Sequence, residues 1–291
     1  MKTFDAEFLQ KLERLTLPET KLIQGGTGGR RRSKAKGSSI EFSDFREYTP
    51  GDDYRAIDWH AYARFERLFI KLFMEEREAN ITIFLDTSAS MDYGQPSKGV
   101  LAKKLAAVFA YIALANYDRV GIAALNDGIS DRYPYFSGKP GFFKALEFID
   151  RLPFSGRTSL NKSIAGFTPL RGRKGISIFL SDFFAKDGYK EAFRYLMYEQ
   201  QDITAVQILA PEELNPRFSG SLRLIDKETG DKVEVEMSPR TLNMYQKALH
   251  SYLEEFKSTC NRLDIACIQV SSAVSLEELV FEKLKQAGII G

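Results

Sequence analysis

From residue 80 to the C-terminus, short apolar runs alternate with longer amphipathic segments, and that alternation admits few architectures. Ile81, Ile83, Phe84 and Leu85 lead into Asp86, a strand whose last residue is a carboxylate. Residues 98–117 then place Val100, Leu101, Leu105, Val108, Phe109, Ile112 and Ala113 at helical spacing, which predicts a long, largely buried helix. Residues 120–125 read as the next strand. Residues 129–136 read as its antiparallel partner across an Asn126-Asp127-Gly128 turn. The cadence continues with helices over 142–149, 159–167, 189–199, 240–260 and 276–287, and strands over 176–180, 203–209 and 265–270. Strands and helices in this order predict a doubly wound α/β fold with a mostly parallel sheet covered on both faces. One break, residues 221–237, alternates Leu222, Leu224, Val233 and Val235 with polar residues, which predicts a β-hairpin inserted at about 219–238.

Two segments precede this domain of residues 80–291. Residues 1–39 comprise an amphipathic helix over 1–17 and a glycine-rich basic stretch, Gly25 to Ser38, that reads as a flexible loop. Residues 40–79 mix charge with aromatic residues. Pro50-Gly51-Asp52-Asp53 is turn chemistry, and the alternation over 68–73 reads as a strand, so the segment is expected to be a small β unit. The helix 1–17 carries charge throughout, unlike a signal peptide, and no apolar run approaches the roughly 20 residues that span a bilayer. A cytoplasmic location without membrane insertion is the expectation. The 41 basic and 39 acidic residues of the 291 leave a net charge of +2, so partners must be recognised locally. Cys260 and Cys267, one expected on a helix and one on a strand, suit small buried thiols better than a disulfide framework or a zinc knuckle.

In open α/β sheets, ligands bind beyond the carboxyl ends of the parallel strands. Three stretches fall there: Asp86-Thr87-Ser88-Ala89-Ser90, Gly156-Arg157-Thr158-Ser159-Leu160 and Ser181-Asp182. Each alone is ordinary capping or turn chemistry. Together they offer hydroxyls and two carboxylates, an oxygen-rich set suited to a hard divalent cation that keeps several waters. Mg²⁺ leads, with Mn²⁺ and Ca²⁺ as alternatives.

These pieces resemble the metal-ion-dependent adhesion site of von Willebrand factor A domains, an aspartate and two serines at alternate positions followed by a distant threonine and a distant aspartate. The resemblance implies direct ligation by Ser88, Ser90 and Thr158, with Asp86 and Asp182 acting through water, and one position left for an acidic side chain of a partner. A second string, Glu41-Phe42, Arg46, Tyr48, Gly51-Asp52-Asp53, Arg55, Ile57-Asp58-Trp59 and Ala63-Arg64, followed by Glu75-Glu76-Arg77-Glu78, is similar to the bacterial domain-of-unknown-function family fifty-eight. Members of that family are often encoded beside MoxR-type AAA+ ATPases, which implies an adaptor or assembly role for such an ATPase. Many members have two glycines before the threonine. Here Gly156-Arg157 sets a cation beside the loop, where it can either weaken metal binding or help to attract an acidic ligand. Arg157, Arg46, Asp52, Asp53 and Arg55 are therefore candidates for partner contact, although Arg46, Asp52, Asp53, Arg55, Asp58 and Arg64 of this charged string read first as pairing with one another to staple the β unit onto the sheet.

Two other functions fit parts of the sequence. A metal-dependent phosphoester hydrolase would use the cation to activate water, but His60 and His250 lie in neither metal segment and no base is visible. An aspartyl nucleophile at Asp86 would want a second aspartate where Ser88 stands. Nucleic-acid binding through the basic residues of 30–36 lacks interleaved aromatic residues. The expected function is a non-enzymatic, metal-dependent protein-interaction module.

Overall fold

The computed structural model describes residues 4–17, 41–52, 54–74, 79–169, 175–216 and 220–291. The glycine-rich basic stretch, with the 30–36 segment weighed for nucleic-acid binding, lies outside them, as does Asp53. The chain divides into two compact units, Ile23–Glu78 on the one hand, and Met1–Leu22 with Ala79–Gly291 on the other.

The N-terminal helix α1, Ala6–Leu12, is shorter than the amphipathic pattern suggests. The Asp5 carboxylate caps it by accepting from the Phe8 amide at 2.8 Å. Phe8, Leu12, Leu15 and Leu17 are buried in the core of the larger unit, so this segment is part of that unit's packing.

In the smaller unit, β1 (Glu41–Glu47) pairs antiparallel with β2 (Phe69–Met74), giving the expected β unit. Between them lies a helix that strand alternation did not foreshadow, α2 (Trp59–Phe65). Its start is set by Asp58, a buried residue whose side chain accepts from the His60 and Ala61 amides at 2.8 and 3.2 Å. Its end is set by Glu66 in the left-handed region, φ 54°. Arg46 donates to Asp52 at 2.8 Å, and Asp52 also accepts from the amide and hydroxyl of Thr49 at 2.9 Å each. The Thr49 amide, then Arg46, lower the Asp52 pKa to about 2. These two members of the charged string thus pair with each other in a local turn. Arg55 is exposed, its guanidinium 5.9 Å from the Tyr54 ring.

The larger unit is the doubly wound α/β domain that the alternation demands. Its strands are β3 (Asn80–Asp86), β4 (Arg119–Asn126), β5 (Gly128–Phe136), β6 (Gly175–Ser181), β7 (Gln201–Leu209) and, after an inserted hairpin, β10 (Ala266–Ser271). They form one sheet in the order β10-β7-β6-β3-β4-β5, parallel except for the edge strand β5. The hairpin is β8 (Gly220–Ile225) and β9 (Lys232–Met237), which pair antiparallel with each other. Its position is the one expected.

Both sheet faces are covered, which is why the central strands read as nearly unbroken apolar runs. Ile81, Ile83 and Leu85 of β3 enter one core with Leu105, Phe109 and Ile112 of α3 (Lys98–Ala115) and Phe142 and Ile149 of α4 (Pro140–Arg151). Phe84 points the other way. There it stacks on Phe179 with centroids 4.7 Å apart. It shares that second core with Leu160 and Ile164 of α5 (Leu160–Ala165), Phe193 of α6 (Lys190–Tyr198) and Phe256 of α8 (Pro239–Arg262). A four-residue helix, α7 (Pro211–Leu214), follows β7. The C-terminal helix is interrupted by a π turn, Leu279–Lys283, whose Leu279 and Val280 remain buried. Both cysteines are free thiols, Cys260 on α8 and Cys267 on β10.

The chain runs from β3 to β4 on one side, then returns to place β6 on the other side of β3. That reversal makes the gap between the carboxyl ends of β3 and β6 the topological switch point, where side chains from two loops meet beside a crevice. Leu85 is in register with Leu180, so Asp86 and Ser181 come level at that edge.

Candidate functional site

Asp86 is the last residue of β3 and completely buried. Its Oδ1 accepts from the Ser88 amide at 3.0 Å, which folds the following loop back over the carboxylate. Its Oδ2 accepts from the Ser181 hydroxyl at 2.6 Å. Thr158 Oγ1 stands 3.4 and 3.5 Å from the two carboxylate oxygens. The hydroxyls of Ser88 and Ser90 are 2.9 Å apart. Four of the five residues singled out in the sequence, Asp86, Ser88, Ser90 and Thr158, are thereby gathered into one cluster.

Backbone bonds knit the two loops that carry them. The Thr87 amide donates to the Leu125 carbonyl at 2.8 Å, Ser155 donates to the Thr87 carbonyl at 2.8 Å, and Ala89 donates to the Gly156 carbonyl at 3.1 Å. Gly156 holds φ 76°, which a side chain would strain, and this turn brings Thr158 over Asp86. Arg157 is exposed.

The fifth residue, Asp182, is nearby but already engaged. Its Oδ2 receives the Lys98 ammonium at 2.6 Å, and its Oδ1 accepts from the Phe184 amide at 3.0 Å. Lys98 also donates to Glu213 at 2.6 Å. The side chains of Lys98 and Asp182 are each 1% exposed and that of Glu213 is 16% exposed. Directly after Asp182, Phe183 adopts φ 61°, a sparsely populated conformation for a bulky residue, and its ring is pinned by Phe179, Phe193 and Phe256.

Burial, and then the neighbouring Asp182 charge, push the Asp86 pKa up to about 6, against the lowering effect of the Ser181 and Ser88 bonds. Burial alone would lower the Lys98 pKa, but Asp182 and Glu213 outweigh it and raise it. Glu213 is raised by burial, only partly offset by Lys98. The edge therefore sets the carboxylates of Asp86, Asp182 and Glu213 beside the ammonium of Lys98, and among the described residues no basic side chain pairs with Asp86.

No three His, Cys, Asp or Glu side chains converge on a common point among the described residues. A cation here relies on hydroxyls. The donor set fits one: a buried carboxylate without a cationic partner lies against three alcohol oxygens, the hard ligands that Mg²⁺ accepts with retained water. Asp182 fits the orienting role less simply, because Lys98 already holds one of its oxygens.

Lys98, Glu213 and a further residue, Glu228, are site neighbours that motif spacing did not single out, and Ser181, read only as the residue before Asp182, bonds Asp86 directly. Glu213 had a signal: Ala210-Pro211-Glu212-Glu213 follows a parallel strand with proline at the first helical position, the same kind of strand end that carries Asp86. Glu213 reaches back to accept from the Ala210 amide at 2.7 Å. Lys98 had a fainter one, a charge directly after the Ser97 cap at the start of a buried helix. Glu228 lies on the hairpin turn and accepts from the Thr158 hydroxyl at 3.2 Å and its amide at 3.4 Å, a contact of 70 residues' separation without any local signature.

The fold and site define a doubly wound α/β domain with a cluster of oxygen-bearing side chains at its switch point. The chain belongs to the family described as protein of unknown function DUF58, whose match spans residues 44–254. It is 23% identical over 260 residues to the uncharacterized protein Mb1516 of Mycobacterium bovis, covering 88% of this chain and 82% of that protein. Among solved structures it is similar to the conserved hypothetical protein BatB from Bacteroides thetaiotaomicron, at 17% identity and TM-score 0.42, covering 72% of this chain and 98% of that one. An aerotolerance-related membrane protein from Bacteroides fragilis is similar at 17% identity and TM-score 0.41, over 72% and 99% of the two chains. Among the described residues of this chain, no helix is long and apolar enough to cross a membrane.

Proposed function

We propose that this protein is a metal-dependent protein-interaction module of the bacterial cytoplasm, an adaptor or assembly partner of a MoxR-type AAA+ ATPase or of its client. The observation that carries the reading is the buried Asp86 carboxylate, set against Ser88 and Thr158 with the Ser90 hydroxyl on that of Ser88, and with no basic partner among the described residues. Ser88, Ser90 and Thr158 would hold a divalent cation, most simply Mg²⁺, and Asp86 and Asp182 would orient its waters. When bound, the cation supplies the positive charge to which an acidic side chain of the partner attaches. Asp86 contributes the buried negative charge, Ser181 and the Ser88 amide fix its orientation, and Lys98 keeps Asp182 in place. Arg157, exposed beside Thr158, adds a cation at the mouth of the crevice. In the smaller unit, Arg46, Asp52, Asp53 and Arg55 remain candidates for contact with the same partner.

Losing the partner's carboxylate should cost about 2–5 kcal/mol, the range for truncating one member of a buried interfacial charge pair. That is a weakening of roughly thirtyfold or more. The test immobilises the protein and passes the purified ATPase with Mg²⁺, with EDTA, and over Ser88→Ala. Retention only by the wild type with Mg²⁺ is expected. Equal retention in all three would remove the metal from the interaction.

The module is proposed to be non-catalytic, since Lys98, Asp182 and Glu213 are all engaged with one another and His250 is exposed on α8. Incubation with Mg²⁺ and a nitrophenyl phosphate should release no product above background. Chelator-sensitive turnover that disappears in Asp182→Asn would establish hydrolysis instead.

A further inference from the structure

We propose that Glu228 is a built-in acidic ligand for this site, presented by the inserted hairpin and displaced when a partner supplies its own carboxylate. The inference rests on the metal-site reading above, and concerns a residue that the metal motif does not contain. Glu228 Oε1 lies 3.2 Å from Thr158 Oγ1 and 3.4 Å from the Thr158 amide, so the hairpin sets a carboxylate on a hydroxyl assigned to the cation. A second oxygen of the carboxylate remains to share a cation's charge.

The turn is built to hold this side chain in place. The Asp226 carboxylate accepts from the amides of Glu228 and Thr229 at 2.8 and 3.2 Å, an Asx arrangement that stiffens the tip. The Asp226 amide donates to the Asp231 carbonyl at 2.9 Å, and the Gly230 amide to the Asp226 carbonyl at 2.8 Å. Two tethers flank the contact. Lys227 reaches the Asp92 carbonyl at 2.5 Å and its carboxylate at 3.5 Å, beyond the Ser88 loop, and Lys186 stands 3.7 Å from Asp226.

The rest of the hairpin is weakly held. Among the described residues β8 and β9 join no other sheet, and Leu224, Ile225 and Val233 are 47%, 57% and 57% exposed. A two-stranded ribbon without a buried face is marginally stable, and exposed ion pairs add little to it. The hairpin is therefore a latch rather than a wall: a stiff tip on a ribbon that can leave. Because Glu228 is tethered, it competes at a high effective concentration, and a partner must exceed that to take the site. This favours a partner with several contacts over a free carboxylate.

The experiment uses Mn²⁺ alone as the probe, by calorimetry, together with amide hydrogen exchange of residues 226–231. In the wild type, Mn²⁺ should bind and slow exchange in the turn. In Glu228→Gln, which keeps the hairpin and the amide acceptor, Mn²⁺ should bind about 10–100-fold more weakly, the usual loss on removing a residue that supports a metal's ligands. Mn²⁺ should also no longer slow exchange there. Wild-type Mn²⁺ affinity in Glu228→Gln with unaltered turn exchange overturns the latch and leaves the metal site standing. Absence of Mn²⁺ binding in the wild type, or full binding in Ser88→Ala, overturns the site itself and the latch with it.

Discussion

Replacing Lys98 with methionine is expected to destabilise the protein by about 3–5 kcal/mol at neutral pH, the range for removing one partner of a buried ion pair. Methionine retains most of the apolar stem, so the loss isolates the ammonium. Without it, Asp182, 1% exposed, and Glu213 face each other as desolvated carboxylates with only the Phe184 and Ala210 amides to hold them. In the wild type the Lys98 pKa is raised, so the stability it provides is present throughout the range below its ordinary value of 10.5 and fades only as the pH climbs through the raised one. In the variant, Glu213, already raised by burial, loses the ammonium that partly offsets that effect, and its protonation relieves the cluster. The deficit should therefore shrink as the pH falls from 7.5 to 5. Urea denaturation at both pH values checks this. A deficit below about 1 kcal/mol at pH 7.5 would mean that water reaches Asp182 freely, as at surface pairs. Combining Lys98→Met with Asp182→Asn should restore part of the loss, because the two changes share one network.

The Lys98 cluster also marks where reading the chain alone stops. The sheet was legible because its strands are buried on both faces, and a run such as Ile81 to Leu85 between turn and helix signals has little else to become. The antiparallel edge was legible from Asn126-Asp127-Gly128, since residue 128 takes φ 138° in the turn between β4 and β5. The four clustered metal-motif residues were legible because loop position and residue type coincide at strand ends. Asp182 was placed correctly at its strand end, yet its pairing was hidden, because Lys98 lies 84 residues away and Glu213 another 31 beyond Asp182. The helix α2 was obscured for another reason. Its Trp59, Tyr62 and Phe65 recur at three-residue spacing, but over only seven residues and on an exposed face, so the period was too short to read and only the Asp58 cap announced it. Contacts such as Glu228 to Thr158 depend on the three-dimensional course of an insertion, which hydropathy does not encode.

Asp86→Asn is expected to do two opposite things: abolish Mg²⁺ and Mn²⁺ binding, and make the metal-free protein more stable at pH 7.5 by about 2–3 kcal/mol. The stabilisation follows from the raised Asp86 pKa, about 6 against an ordinary 3.8. Burial is the main cause, with the Asp182 charge behind it, so the folded chain favours the protonated acid. The contribution of this group to stability is complete below about 3.8 and is lost as the pH rises through 6. Above that, two units at 1.36 kcal/mol each leave a deficit of about 3 kcal/mol. Asparagine removes the charge and keeps the bonds. Its oxygen still accepts from the Ser88 amide, and its NH₂ can donate to Ser181 Oγ, which then accepts where it now donates. Thermal unfolding in EDTA should give a variant that melts several degrees above the wild type at pH 7.5, a gap that narrows through pH 6 and closes near pH 4. Adding Mg²⁺ at pH 7.5 should raise the wild type alone, since a ligand that binds only the folded state stabilises it by mass action. A variant less stable than the wild type in EDTA at pH 7.5 would show that the carboxylate's hydrogen bonds outweigh its burial. A variant that still binds Mn²⁺ with wild-type affinity would move the cation away from Asp86, and with it the balance of function against stability that this residue is expected to embody.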